Sequence, residues 1–421
     1  MNKKILVVSN EPFSNTGANS RTIKNLLLCV PKQNLAQFYI HGTPDQEFCS
    51  HYYQVSDGDV LRAFLGRPKA ERTVSRPVNE MPQVPQMHQP PQRKIVKSYK
   101  TLVFRNWVWQ SMRWWTKEFE KFLDDFGPQV VLLQAGDAPF MYAIARKIAK
   151  RYQAKLLMFN TENYVLKKKM YASKKKNFPW HFLLMSSLKR QYRKFMAKAD
   201  YCTYGTEYLE DCYQKKYPHS NKSAFFYVGT EMQDCSQVAE ERKEFSLVYC
   251  GNLGVGRVPV LCAIAQVLHD IDESAKLIVY GKFTNEMEHQ RLCGYENVIH
   301  GGFVSYEQIP SILAQASMVL HCENNSRSED LIAAFSTKIA DCLACGKPFL
   351  VVATKQYPFV AYLDKHHVAH IAQTKEELTQ ILKACMVDRE YRNQYIENAK
   401  QLAHKNHNSQ RNSEMFAEIL D

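Results

Sequence analysis

Short apolar runs, each followed by a stretch with helical spacing, recur along this chain. Ile5–Val8 leads into a helix from about Arg21 to Cys29 and a strand near Phe38–Ile40. The rhythm returns with strand Val130–Gln134, helix Pro139–Tyr152 and strand Lys155–Asn160, then strands at Ala199–Tyr204 and Ala224–Val228. A second series opens at Ser246–Cys250. It continues through Lys276–Tyr280, Val298–His300, Met318–Cys322, Pro348–Val352 and Val368–Ile371, and is helical from about Glu376. Apolar strands alternating with helices are the pattern of a parallel sheet covered on both faces. The expectation is an α/β protein of two Rossmann-like doubly wound domains facing a central cleft, with ligand at the carboxyl ends of the strands. The boundaries fall at 1–235, 236–400 and a C-terminal helix, 401–421, packing back on the first domain. Gly229–Glu244, polar and charged, is expected as the linker. Residues 66–93, with six prolines, break the rhythm and predict a mobile insertion or a long surface loop.

Length, charge and cysteine usage narrow the class. A chain of 421 residues has room for two or three domains. No run approaches the roughly 18 apolar residues of a membrane span. The apolar stretch after Lys3 and Lys4 is too short for a signal peptide and lacks a small-residue cleavage site. Twelve cysteines without scaffold spacing point to a reducing compartment, the cytoplasm. Residues 1–240 hold 37 Lys and Arg against 20 Asp and Glu, whereas 241–421 hold 18 against 22. The positive field therefore belongs to the first half and selects for anionic partners.

Three segments carry candidate chemistry. The turn after Cys250 reads Gly251-Asn252-Leu253-Gly254-Val255-Gly256-Arg257. Its glycines let a backbone approach phosphate, and Arg257 suits phosphate oxygens. The spacing is not G-x-G-x-x-G, which argues against a dehydrogenase. In residues 335–352, Ser336 and Thr337 stand where a helix begins, Lys338 adds a cation at the same end, and Asp341 lies in the first turn. In the first half, Phe159-Asn160-Thr161-Glu162-Asn163-Tyr164 ends a strand, and Glu162 is the one acid between Lys155 and Lys198. It is a candidate base or acceptor-binding group, or an ion pair that offsets local charge.

The block from Ser336 to Pro348 (STKIADCLACGKP) resembles the nucleotide-sugar site of GT-B glycosyltransferases, especially family 4-like enzymes of bacterial surface polysaccharides. Gly251-Asn252-Leu253-Gly254 with Arg257 resembles their phosphate-binding turn. Tyr280-Gly281-Lys282 and Gly301-Gly302-Phe303-Val304 resemble two further donor-site turns. Pro12-Phe13-Ser14-Asn15-Thr16-Gly17 resembles their N-terminal glycine loop. The resemblance implies a glycosyltransferase that moves a sugar from a nucleoside diphosphate sugar to a hydroxyl of a growing, lipid-linked glycan, with retention and without a metal. It implies that Asp341 holds the ribose hydroxyls. The amides of Ser336 and Thr337, with Lys338, would bind the diphosphate, and Arg257 would steady the leaving group. Gly17, Gly251, Asn252, Gly254, Gly281, Phe303 and Val304 would line the donor. The first glutamate of the family pair falls at Ala333, so Glu323, Glu329 or Asp330 is expected to substitute.

Other constellations point elsewhere or nowhere. Cys342 and Cys345 form a CxxC inside a helix, which suits packing rather than redox or zinc chemistry. His366, His367 and His370 lack partners at ligand spacing, and no metal or other cofactor is expected. P-loop and nucleophile-elbow motifs are absent from the sequence. Trp107, Trp109, Trp114 and Trp115, with Arg105, Arg113 and the Lys167–Lys198 cluster, suit peripheral attachment to an anionic membrane. The same composition suits single-stranded nucleic acid, which ranks below the membrane as a partner, or a core helix with buried tryptophans and some exposed lysines. The rivals to the transferase are a nucleotide-sugar epimerase of the same fold and a non-catalytic basic module binding anionic membrane or RNA.

Overall fold

A computed structural model of the chain describes residues 3–14, 17–67, 98–167, 179–254, 256–324, 332 and 335–420. Its contacts divide the chain into Met1–Phe225 with Phe416–Asp421, and Phe226–Met415. The expected 66–93 insertion lies almost wholly outside the described residues, as do 168–178 of the basic cluster.

The first unit holds seven parallel strands in the order β3-β2-β1-β4-β5-β6-β7. They are β1 Ile5–Val8, β2 Leu35–Tyr39, β3 His51–Gln54, β4 Val130–Gln134, β5 Lys155–Asn160, β6 Tyr201–Tyr204 and β7 Lys222–Phe225. Helices α1 Ala18–Leu26, α2 Asp57–Phe64, α3 Tyr99–Gln110, α4 Lys117–Phe126, α5 Pro139–Tyr152, α6 Trp180–Met196 and α7 Glu207–Lys216 accompany them. Strands β1 and β2 are buried along their whole length, as near-continuous apolar runs in a covered parallel sheet should be. Side-chain caps set the helix starts. Ser56 and Ser98 each form a capping box, and Thr116 caps α4, which ends on left-handed Gly127 at φ 63°.

Strand β3 and helix α2 were not expected from sequence. His51-Tyr52-Tyr53-Gln54 is neither an apolar run nor an alternation. It is held by aromatic packing, with Tyr53 at 4.8 Å from Phe119 and 5.1 Å from Phe122. The tryptophan-rich segment is mostly core rather than surface. Trp109 stacks on Phe140 at 4.5 Å, and Trp109 and Trp114 are both buried. Their indole N–H groups donate to Asp57 and to the carbonyl of Trp109. Trp107 alone of the four is largely exposed, at 59%.

The second unit holds six parallel strands in the order β10-β9-β8-β11-β12-β13, which repeats the doubly wound pattern. They are β8 Ser246–Cys250, β9 Lys276–Tyr280, β10 Val298–His300, β11 Met318–Cys322, β12 Phe349–Val352 and β13 His370–Ala372. The helices are α8 Val258–Ile271, α9 Glu286–Cys293, α10 Ile309–Ala314, α11 Thr337–Ala344, α12 Pro358–Lys365, α13 Lys375–Val387, α14 Arg389–Asn393, α15 Ile396–Asn406 and α16 Ser409–Leu420. Two apolar clusters, one on each face of the sheet, form the core. The expected linker Gly229–Glu244 begins inside this unit. Thr230 bridges to Asn408, and the Cys235 amide donates to the Cys345 carbonyl at 3.0 Å. These bonds move the boundary earlier than residue 235. The last residues of α16 return to the first unit, where the Leu420 carbonyl accepts from Lys3 Nζ at 2.7 Å and Lys155 Nζ at 3.3 Å.

Candidate functional site

In the second unit, the carboxyl ends of β8 and β9 meet the start of α11. Ser336 caps α11, its hydroxyl accepting from the Lys338 amide at 3.4 Å. Thr337 opens the helix. The stem of Lys338 lies across Gly251, where an added Cβ would stand 2.6 Å from Lys338 Cδ. A side chain at 251 would have to displace the Lys338 stem. Gly281 sits at φ +149°, and a Cβ there would collide with the carbonyl oxygen of Gly251. Backbone bonds fix the two turns together: Gly251 N donates to Tyr280 O and Gly281 N to Gly302 O, both at 2.8 Å. Asn252 Oδ1 accepts from Gly254 N at 2.8 Å, which closes the first turn.

Arg257 is held by the protein. Its Nε and Nη2 donate to Glu323, Nε at 3.1 Å, and Nη1 donates to the Asn252 carbonyl at 3.1 Å. Arg257 and Glu323 are both buried. Burial opposes charge on each. Tyr249 and Glu323 nevertheless keep the guanidinium strongly basic, while the His321 ring 3.4 Å away and the bonds from Arg257 hold the Glu323 carboxyl below its usual range. Burial lowers the pKa of His321, the neighbour of this pair. Glu323, one of the acids expected to meet the sugar, is thus committed to Arg257. Glu329, Asp330 and Ala333 lie outside the described residues.

Asp341 is buried in α11 and faces two hydroxyls. Its Oδ1 accepts from Thr230 Oγ1 at 2.5 Å and from Tyr306 OH at 2.9 Å. Tyr306 follows the Gly301–Val304 turn, so that turn is tied to α11. Phe303 is 67% exposed, with Lys282 Nζ 4.4 Å from its ring centre, and Val304 is half-buried. The structure therefore groups Gly251, Asn252, Gly254, Arg257, Gly281, Phe303, Val304, Ser336, Thr337, Lys338 and Asp341 around the carboxyl ends of the strands of one sheet.

In the first unit, a cavity of 1140 Å³ opens at the carboxyl ends of β1, β4 and β5. Asn10, Glu11, Asp137 and Glu162 line its polar side, and Phe104 and Trp109 are among its apolar walls. Glu162 accepts from the buried Lys167 Nζ at 3.4 Å, and its carbonyl accepts from Tyr213 OH at 3.1 Å. Buried polar atoms without a protein partner gather at these strand ends: Asn10 Oδ1, Asn160 Oδ1 and Thr161 Oγ1. Such atoms are costly unless a ligand or water meets them. Gly17 caps α1, and a Cβ there would stand 3.3 Å from Glu11 Oε2. Asn15 and Thr16 of the same loop lie outside the described residues. Asp137 was missed in the sequence, although an acid one turn beyond a parallel strand was the available signal. Cys342, in α11, and Cys345, at its end, are buried, and burial pushes the Cys342 thiol well up.

Residues 260–418 match the family described as glycosyl transferase-like. Comparison with curated protein sequences finds no match. Among solved structures, Anabaena HepE in complex with UDP and glucose is similar at 13% identity and TM-score 0.63, over 99% of both chains. Sucrose-phosphate synthase of Thermosynechococcus elongatus is similar at 9% identity and TM-score 0.63, over 99% of this chain and 98% of that one. A Staphylococcus aureus TarM variant in complex with fondaparinux, α-GlcNAc-glycerol and UDP reaches TM-score 0.50 at 11% identity, over 75% of this chain and 59% of that one. The fold is thus that of the GT-B glycosyltransferases, as the resemblance in the sequence implied.

Proposed function

We propose that this chain, GT-B in fold and glycosyl transferase-like in its second unit, moves a sugar from a UDP-sugar to a hydroxyl of a glycan acceptor. The observation that carries this reading is the convergence of Lys338, Gly251 and Gly281 at the start of α11. The glycines let the turns close on Lys338 at the helix start, where the helix end and Lys338 would oppose the charge of a pyrophosphate. UDP is present in the HepE and TarM structures, which favours uridine as the base. Lys338 and Arg257 would supply the positive charge against the leaving UDP, so the reaction would need no metal. Asp341 would hold the ribose through the same chemistry that now joins it to Thr230 and Tyr306. Retention of configuration rests on the family resemblance.

The cavity of the first unit is the acceptor site in this reading. Glu162 and Asp137 are the acids that would take the hydroxyl proton or orient the acceptor. Phe104, Trp107, Phe182 and Leu183 are exposed on α3 and the start of α6, within the basic half of the chain. That combination favours an acceptor carried by lipid at an anionic membrane. Among the described residues, no helix is long and apolar enough to cross a membrane.

Calorimetry with UDP tests the donor site. Wild type should bind, and Lys338→Ala should weaken binding tenfold or more. Equal affinity in the two proteins would remove the main support. Flotation with vesicles tests the surface: binding should need anionic lipid and fall with salt.

A further inference from the structure

We propose that His289, Cys293 and His300 form a binding site for a soft divalent metal ion, zinc foremost, on the second unit beside the Gly281 turn. None of the three belongs to the donor or acceptor groups described above. His289 and Cys293 stand four residues apart on α9, so they share one helix face. His300 ends β10. One ligand atom from each residue lies within 4.8 Å of the other two. Tetrahedral zinc, with bonds of about 2.1 Å to nitrogen and 2.3 Å to sulfur, holds its ligand atoms about 3.5 Å apart. Small side-chain rotations close that difference.

The hydrogen bonds around the rings are a second, independent observation. His289 Nδ1 faces Glu286 Oε1 at 3.4 Å, and His300 Nε2 faces the Gly281 carbonyl at 3.1 Å. A carboxylate and a carbonyl each call for an N–H. In the neutral rings this leaves the opposite nitrogen of each histidine as a lone-pair donor. Metal-bound histidines show this arrangement almost without exception. Phe283 packs against both rings, at 5.0 Å from His289 and 4.9 Å from His300, which holds them facing one another. All three residues are half-buried, so an ion has an entry path and a fourth position is open to water. Two imidazoles and one thiolate select zinc over the hard cations magnesium and calcium. The bound ion would displace the Cys293 proton and clamp α9 to the end of β10. Through the Gly281 carbonyl, it would also brace the turn whose amide bonds to Gly302.

The test uses the full chain, reduced and stripped with a chelator. Cobalt(II) chloride is added first and followed by absorption; zinc chloride is then titrated by calorimetry. One equivalent of cobalt should give tetrahedral d–d bands and a thiolate-to-cobalt charge-transfer band, and zinc should displace it. Cys293→Ser, nearly isosteric, should abolish the charge-transfer band while leaving the far-UV circular dichroism unchanged. Glu286→Gln should weaken zinc by about tenfold, the usual loss for a group that orients a ligand. A cobalt adduct without a charge-transfer band would overturn the assignment. So would a band, or a zinc affinity, that is the same in Cys293→Ser as in wild type. UDP binding should persist in the stripped protein, so failure of the metal site and failure of the donor site are read separately.

Discussion

Replacing Glu323 with alanine should destabilise the second unit and leave the first unit intact. Arg257 is 8% exposed and Glu323 3%, so the substitution strands a guanidinium in the interior, with the Asn252 carbonyl left as a described acceptor. Breaking a buried pair from one side costs about 3–5 kcal/mol. With a urea slope of about 2 kcal/mol per molar, the midpoint for this unit should fall by roughly 2 M. All five tryptophans lie in the first unit, so their fluorescence reports that unit while far-UV circular dichroism reports both. The expected result is a lower dichroism transition beside an unmoved fluorescence transition. A double variant, Arg257→Met with Glu323→Leu, removes both charges and keeps the volume. It should recover most of the loss, because a packed apolar pair is about as stable as a buried ion pair. UDP affinity should stay low in the double variant if the Arg257 charge serves the donor. The reasoning fails if the single variant shifts the midpoint by less than about 0.5 M, or if the double variant is no more stable than the single.

Four further outcomes follow from named contacts. Gly281→Ala meets both a left-handed φ and the Gly251 carbonyl, so it should cost at least ~2 kcal/mol and lower the melting temperature of the second unit. His407 is fully buried, and burial lowers its pKa to about 4. The folded state therefore favours the neutral ring. That stability is present above pH 6.5 and is lost as pH falls through 4, by about 3 kcal/mol in all; His407→Gln should flatten this part of a denaturation-against-pH curve. Asp137→Asn and Glu162→Gln should each lower turnover with little change in UDP affinity by calorimetry, and the larger fall identifies the acid nearer the reacting hydroxyl. Asn10→Leu fills a site with an unpartnered amide oxygen, so it should raise the acceptor KM without weakening UDP.

Much of the sheet architecture was legible because its strands are covered on both faces. Ile5–Val8, Val130–Gln134 and Ser246–Cys250 read as strands from apolarity alone and were found with those bounds. Strand β3 was not legible, since its tyrosines are buried by aromatic neighbours that come from α4. Tryptophans 109 and 114 suited an interfacial belt and a core helix alike, and they fill the space between α3, α4 and the sheet. Their polar N–H groups find acceptors inside the fold, which composition cannot reveal. The glycines of the donor side were legible as a pattern, but their reasons were not. Gly251 makes way for Lys338, and Gly281 makes way for Gly251, contacts across long sequence separations. The pairing of Arg257 with Glu323 was hidden for the same cause: one closes a turn and the other ends a strand on a neighbouring part of the sheet.

The return of Phe416 and Leu420 to the first unit, where both are fully buried, has a consequence for biosynthesis. The amino-terminal unit lacks part of its core until those residues have left the ribosome. At about 10 residues per second, the roughly 190 residues between Phe225 and Phe416 take about 20 s to make. During that interval the nascent protein carries an unfilled apolar seat. Loss of Phe416 and Leu420 would accordingly be felt first in the unit built from residues 1–225.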